Sequence, residues 1–153
     1  MGSRCMPPRR RSPRRESVAA AIRWLEWAAG DLATAVAYRN DPSVPFRNSA
    51  YFAQQAAEKA IKAVILLDNR AIDRVHDLEA LSRDLPDDFA VPATIDELAR
   101  LSDLAIDARY PDEGDTVDAD TAARSIATAT TILDAAMAHF AIRGIPTDDI
   151  RPQ

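Results

Sequence analysis

The side chains best placed to do chemistry lie in one stretch, Gln54-Gln55-Ala56-Ala57-Glu58-Lys59-Ala60-Ile61-Lys62. On a helix, Tyr51, Gln55, Glu58 and Lys62 fall at i, i+4, i+7 and i+11, which makes one continuous polar stripe opposite an alanine seam. Glu58 precedes Lys62 by four residues, the favourable orientation for an intrahelical ion pair worth about 0.2–0.5 kcal/mol on an exposed face. Lys59 and Lys62 are the only lysines in the chain; every other strong base is arginine. Compact ammonium groups one turn apart suit a phosphate or a carboxylate partner and are not interchangeable with guanidinium. The stripe reads either as a salt-bridged solvent face or as a site for an anion.

Two further segments carry polar chemistry. His76-Asp77-Leu78 opens a short helix, where His76 reads as a cap with Asp77 favourable to the helix dipole, or as a general acid or base. Arg109-Tyr110-Pro111-Asp112 closes a helix, as a latch of packed ring and ion pair or as an arginine offered to a phosphate or an RNA backbone. His139, between Ala138 and Phe140, reads as a packed or surface residue rather than a ligand. The common site signatures are missing: no phosphate-cradling glycine loop, no His-x-x-x-His pair and no Glu-x-x-His motif. A single cysteine, Cys5, excludes an intramolecular disulfide, a cysteine zinc site and a CxxC redox pair. No metal or cofactor is expected.

The elements that position these residues are helices. Val18, Ile22, Leu25, Ala29, Leu32 and Val36 repeat at 4-3-4-3-4 and predict a first helix from Glu16, with Ser17 as its cap. Asn40 to Pro45 is a loop, since two prolines break the pattern. A second helix runs from about Phe46 to Asn69, and its wide, alanine-rich apolar face predicts a central position. A linker spans Arg70 to Val75. A short helix follows with Leu78, Leu81 and Leu85 turned inward. Thr94 opens a fourth helix with Ile95, Leu98, Leu101, Ala105 and Ala108 facing the core, and it stops before Pro111. The last helix carries Ala122, Ile126, Ala129, Leu133, Ala136 and Phe140 at the same spacing, with Gly144 and Pro146 as stop signals. Four long helices and one short one on short loops predict an all-α, up-and-down helical bundle.

Length and charge set the frame. The 153 residues suffice for one domain with a real core. No apolar run approaches the roughly 20 residues of a membrane-spanning helix, and a small soluble cytoplasmic domain is expected. Residues 1–15 hold six arginines, three prolines and no acid, while residues 16–153 carry 13 strong bases against 24 acids. The first segment reads as a disordered basic arm, and residues 145–153 as a flexible tail flanking the bundle at 16–144. An arm of this kind touches nucleic acid through phosphates, or is simply an over-long start; no function is placed there. The acidic body disfavours strong sequence-independent nucleic-acid binding by the domain itself.

Three segments in this order resemble a known family. The run Phe52 to Ala63, then His76-Asp77-Leu78 with Leu81, then Arg109-Tyr110-Pro111-Asp112, resembles the HEPN domain (higher eukaryotes and prokaryotes nucleotide-binding). The stretch Ala28-Ala29-Gly30-Asp31-Leu32 with Ala35 is similar to its opening, and the likeness spans about residues 18–142. The resemblance implies a four- to five-helix bundle that commonly dimerises, like the helical domain of kanamycin nucleotidyltransferase. It also implies a small stand-alone protein encoded beside a minimal nucleotidyltransferase in a toxin–antitoxin-like pair. Gln55, Glu58, Lys59, Lys62, His76, Asp77, Arg109 and Tyr110 match its polar signature.

Some HEPN proteins are metal-independent ribonucleases with an Arg-x(4–6)-His motif. Arg70 and His76, with five residues between them, satisfy that spacing, in the linker rather than in the late helix where the family carries it. The leading expectation is therefore a nucleotide-binding or accessory partner of a nucleotidyltransferase, using Gln55, Glu58, Lys59, Lys62, Asp77, Arg109 and Tyr110. An endoribonuclease using Arg70 and His76 is the alternative from the enzyme class. A structural helical homodimer with the stripe as its interface is the third.

Overall fold

The computed structural model describes residues 15–107 and 117–150 of the chain. Five helices follow in order: α1 (Arg15–Asn40), α2 (Phe46–Leu67), α3 (Leu78–Ser82), α4 (Ile95–Asp107) and α5 (Ala119–Ile142). Among the described residues there is no strand, and the fold is the expected all-α bundle. The basic arm (except Arg15), Arg109, Tyr110 and the tail beyond Ile150 lie outside the described residues.

α2 is the hub. It packs on α1, α5, α4 and α3, so its central position agrees with its composition. Ala50, Ala53, Ala56, Ala57, Ala60 and Ala63 are fully buried along it. Side chains of one methyl let neighbouring backbones approach closely, and they cost no rotamer entropy on burial. The larger residues Leu25, Ile61, Ile65, Ile132 and Phe140 fill the space between. Burying each of these adds about 1.5–3 kcal/mol. Ser49 is also buried, its hydroxyl donating to the Ala35 carbonyl at 2.7 Å and tying α2 to α1.

The helix ends follow local chemistry. α2 closes with Asn69 in the left-handed region (φ 57°), its N–H bonded to Leu66 O at 2.9 Å and the Arg70 N–H to Ile65 O at 3.3 Å. This is the Schellman pattern, in which asparagine substitutes for the usual glycine. α5 ends the same way at Gly144 (φ 76°), with Gly144 N–H to Ala141 O and Ile145 N–H to Phe140 O. Thr94 and Glu97 form a capping box at α4: the Glu97 N–H donates to Thr94 Oγ1 and the Thr94 N–H to Glu97 Oε2.

Several local expectations change. α1 begins at Arg15, so Ser17 lies inside the helix rather than capping it. Val36, late in α1, and Ile95, the first residue of α4, are exposed, at 42% and 65%, rather than facing the core. Beyond α5, Ile145 and Ile150 are partly buried against the core. Among the described residues, α5 alone is long and apolar enough to cross a membrane. Here its apolar face packs on α2 and α1, with Ala122, Ala129, Ile132, Leu133, Ala136 and Phe140 buried, as in the core helix of a bundle.

Candidate functional site

The polar stripe of α2 is only partly a solvent face: Tyr51 and Gln55 are half-buried, and Glu58 and Lys62 are buried. Glu58 and Lys62 are each 4% exposed and Gln54 1%, because α1 and the 70–77 linker close over them. Inside this pocket of structure the Glu58 carboxylate collects its neighbours' protons. Lys62 Nζ donates to Glu58 Oε1 at 2.8 Å, and Gln54 Nε2 donates to Oε2 at 3.1 Å. His76 Nδ1 lies 3.1 Å from Oε1 and 3.3 Å from Oε2. An ionised carboxylate only accepts, so Nδ1 carries the proton and donates it. The Lys62 ammonium also sits 5.6 Å from the centre of the Trp24 ring on α1, a cation–π contact that replaces part of its lost hydration.

The electrostatics follow from this crowding. Burial pushes the Glu58 carboxyl up, but the hydrogen bonds from Lys62 and Gln54, with the charges of Lys62 and His76, more than offset it. The group is held below the ordinary carboxylate range. Glu58 and Lys62 thus form a buried, charge-balanced pair.

His76 is the outward edge of this network. Its side chain is 64% exposed while its Glu58 partner is 5% exposed. The backbone around it is fixed on three sides. Gln54 Nε2 donates to the His76 carbonyl at 3.1 Å. Asp77 N-caps α3, its Oδ1 accepting from the Glu79 N–H at 2.9 Å and the Ala80 N–H at 3.2 Å. The Leu78 N–H donates to Ser102 Oγ on α4 at 3.1 Å, and Leu78 itself is fully buried. With Nδ1 held by Glu58, Nε2 is the ring nitrogen left for a further partner on this largely exposed side chain.

The remaining site residues sort by position. Gln55 Nε2 donates to Gln54 Oε1 at 2.7 Å and orients that amide. Lys59 belongs to a different face of α2 and pairs with Asp31 on α1. Arg70 is engaged elsewhere: its Nε donates to Asp68 Oδ2 at 2.9 Å and its NH1 to the Asp84 carbonyl at 3.2 Å. Asp77, rather than His76, is the cap of α3, and its carboxylate is occupied by that task. His139 is buried, its ring edge-on to Phe89 at 5.3 Å. Among the described residues no group of three or more His, Cys, Asp and Glu comes together to hold a metal ion.

Sequence reasoning passes over two members of the network, Gln54 and Trp24. Gln54 is visible in the motif as a second glutamine, but only the position of the His76 carbonyl reveals its bridging role. Trp24 meets Lys62 across two helices, a contact with no local sequence signal.

Comparison with known proteins agrees with this architecture. Among curated proteins none matches the chain. The crystal structure of TT1696 from Thermus thermophilus is similar, with a TM-score of 0.65 and 28% sequence identity, covering 76% of this chain and 94% of that one. The HEPN domain model matches residues 21–139, a range that takes in α2, the His76 loop and nearly all of α5. With the motif order, the hub helix and this match in agreement, the chain belongs to the HEPN domain family.

Proposed function

We propose that this HEPN protein binds the phosphate of a nucleotide through His76 and acts as the partner of a minimal nucleotidyltransferase. The observation that carries the first half is the fixed, exposed His76 ring with Glu58 on its inner nitrogen. A side chain already held in place loses little further freedom on binding. Because Lys62 balances Glu58, a protonated His76 adds one uncompensated positive charge at the surface. Its Nε2–H is then a charge-assisted donor suited to a phosphate oxygen. Gln54, Gln55, Glu58 and Lys62 are positioning residues in this reading. Both lysines have carboxylate partners within the fold, and this reading assigns the phosphate contact to His76 instead. The partner half rests on what is usual for small stand-alone members of the family.

The test is calorimetric titration of nucleoside mono- and triphosphates into the wild type and His76→Ala, with co-purification of a co-expressed minimal nucleotidyltransferase. Binding that His76→Ala weakens about tenfold is expected, the loss of one charge-assisted bond. A wild type that neither binds nucleotides nor retains the nucleotidyltransferase refutes the proposal.

A second reading, a metal-independent endoribonuclease, is favoured by one feature. With the proton of neutral His76 on Nδ1, the lone pair at Nε2 is available to accept the proton of an RNA 2′-hydroxyl as its oxygen attacks phosphorus. As the P–O5′ bond breaks, the departing 5′-oxygen takes a proton from water, leaving a 2′,3′-cyclic phosphate and a 5′-hydroxyl. Arg70, engaged with Asp68 and the Asp84 carbonyl, would have to leave both to reach the same phosphate. RNA cleavage in excess EDTA, lost in both His76→Ala and Arg70→Ala, supports this reading; cleavage that survives both removes it.

A further inference from the structure

The faces of α4 and α5 that look toward each other form a second polar cleft, whose lining shares no residue with the Glu58–His76 network. α4 packs on α2 and α3, and α5 on α2 and α1, so the two helices flank a gap of about 220 Å³ instead of closing on one another. On the α4 side stand Glu97, Arg100, Leu101 and Leu104; on the α5 side stand Thr121, Arg124, Ser125 and Thr128. Each set falls at i, i+3, i+4 and i+7, one continuous helix face. Each face presents one arginine to the same space.

Two guanidinium groups sharing a cleft repel each other unless an anion lies between them. Among the described residues, the two acids whose charge acts on them do not supply it. Glu97 uses its carboxylate to accept the Thr94 N–H at 2.7 Å, and Asp118 accepts the Thr121 N–H at 2.7 Å. They act on Arg100 and Arg124 through charge at a distance. Among the described residues, neither arginine donates a hydrogen bond to a carboxylate, in contrast to Arg70, Arg83 and Arg143. Both side chains are exposed, so their forks are accessible to a ligand. Ser125 spends its hydroxyl proton on the Thr121 carbonyl, whereas Thr128 also lines the cleft. Leu101 and Leu104 give the cleft an apolar side suited to the ribose or base next to a phosphate.

We infer that the α4–α5 cleft is a second phosphate-binding site, in which Arg100 and Arg124 clamp one phosphate group of a nucleotide or of an RNA chain. Arginine suits this task because its planar fork matches phosphate oxygens two at a time. The site is independent of His76.

The experiment is a two-dimensional amide NMR titration of the full chain at low salt, with adenosine monophosphate in one arm and an eight-nucleotide RNA with hydroxyl ends in the other. Amides of Leu101–Leu104 and Arg124–Thr128 are expected to move. Arg100→Gln and Arg124→Gln each weaken that response about tenfold, and the double variant abolishes it. Movement with both probes assigns the site to the phosphate group in either setting; movement with RNA alone assigns it to the phosphodiester backbone. The same titration on His76→Ala separates the sites, since the α4–α5 response persists there whether or not the His76 reading holds. No movement at α4–α5 with either probe, or the same movement in the double variant, overturns the inference.

Discussion

The Glu58–Lys62 pair gives the sharpest quantitative prediction, because its worth depends on burial rather than on spacing. At i, i+4 on a solvent face such a pair contributes about 0.3–0.5 kcal/mol. Here both side chains are 5% exposed and 2.8 Å apart, so removing one partner strands a buried charge. Loss of one member of a buried pair costs about 3–5 kcal/mol. Lys62→Met belongs near the low end, about 3 kcal/mol, since Gln54 and His76 still bond the Glu58 carboxylate. Glu58→Gln leaves the Lys62 ammonium with the Trp24 ring and an amide, and is expected to cost about as much. The double variant strands no charge, so its destabilisation falls below the sum of the single effects by about 2 kcal/mol. The assay is urea unfolding followed by circular dichroism, with thermal midpoints for the single variants falling roughly 6–12 °C. Single effects below about 0.5 kcal/mol that simply add would refute the buried-pair argument.

Three further predictions follow from the same geometry. The folded Glu58 carboxyl is held below its ordinary range, so its contribution is present above the unfolded value and disappears as pH falls through the lowered folded one. Wild-type unfolding free energy, measured in urea between about pH 6 and pH 3, should therefore fall more steeply than that of Glu58→Gln; parallel curves would contradict this. Asp77→Ala removes the α3 cap and should cost about 1 kcal/mol in the same assay. It should also broaden the His76 ring resonances, because the cap fixes the loop carrying them. Gly144→Ala should cost about 1 kcal/mol although a methyl there meets nothing within 4 Å, because the φ of 76° is strained for an L side chain; no loss of stability would contradict the strained cap.

The fold was largely legible in the sequence because its signals are local and redundant. The 4-3-4-3-4 spacings of α1 and α5, the Thr94–Glu97 box, and the Gly144 stop each act over a few residues, and the helices appear where they point. Alanine enrichment in α2 marked the hub, since small side chains all around one helix serve close packing on several sides. The stripe was harder to place. A helix packed on four neighbours has little solvent face left, so Glu58 and Lys62 of the stripe are internal while Tyr51 and Gln55 are half-buried, and an i, i+4 pair that looks like surface decoration is a buried one. Spacing gives the angle of a side chain around its own helix but not what lies opposite it. The His76 ring and the Trp24 face are 14 residues downstream of Lys62 and 38 upstream of it, and only the packing of α1 and the linker brings them in. The Arg70–His76 spacing shows the converse: a permitted spacing does not say what each side chain bonds, and after the Schellman turn at Asn69 Arg70 bonds Asp68 and the Asp84 carbonyl while His76 bonds Glu58.

The central claim is that the outer nitrogen of His76 meets a phosphate while Glu58 holds the inner one. Nitrogen-15 NMR of the His76 ring tests it directly, recorded with and without a nucleoside monophosphate in the wild type and in Glu58→Gln. The account predicts that Nε2 shifts on addition of the nucleotide while Nδ1 stays protonated and hydrogen-bonded, and that Glu58→Gln weakens the response. Ring resonances that ignore the nucleotide, or that respond equally in Glu58→Gln, would contradict it.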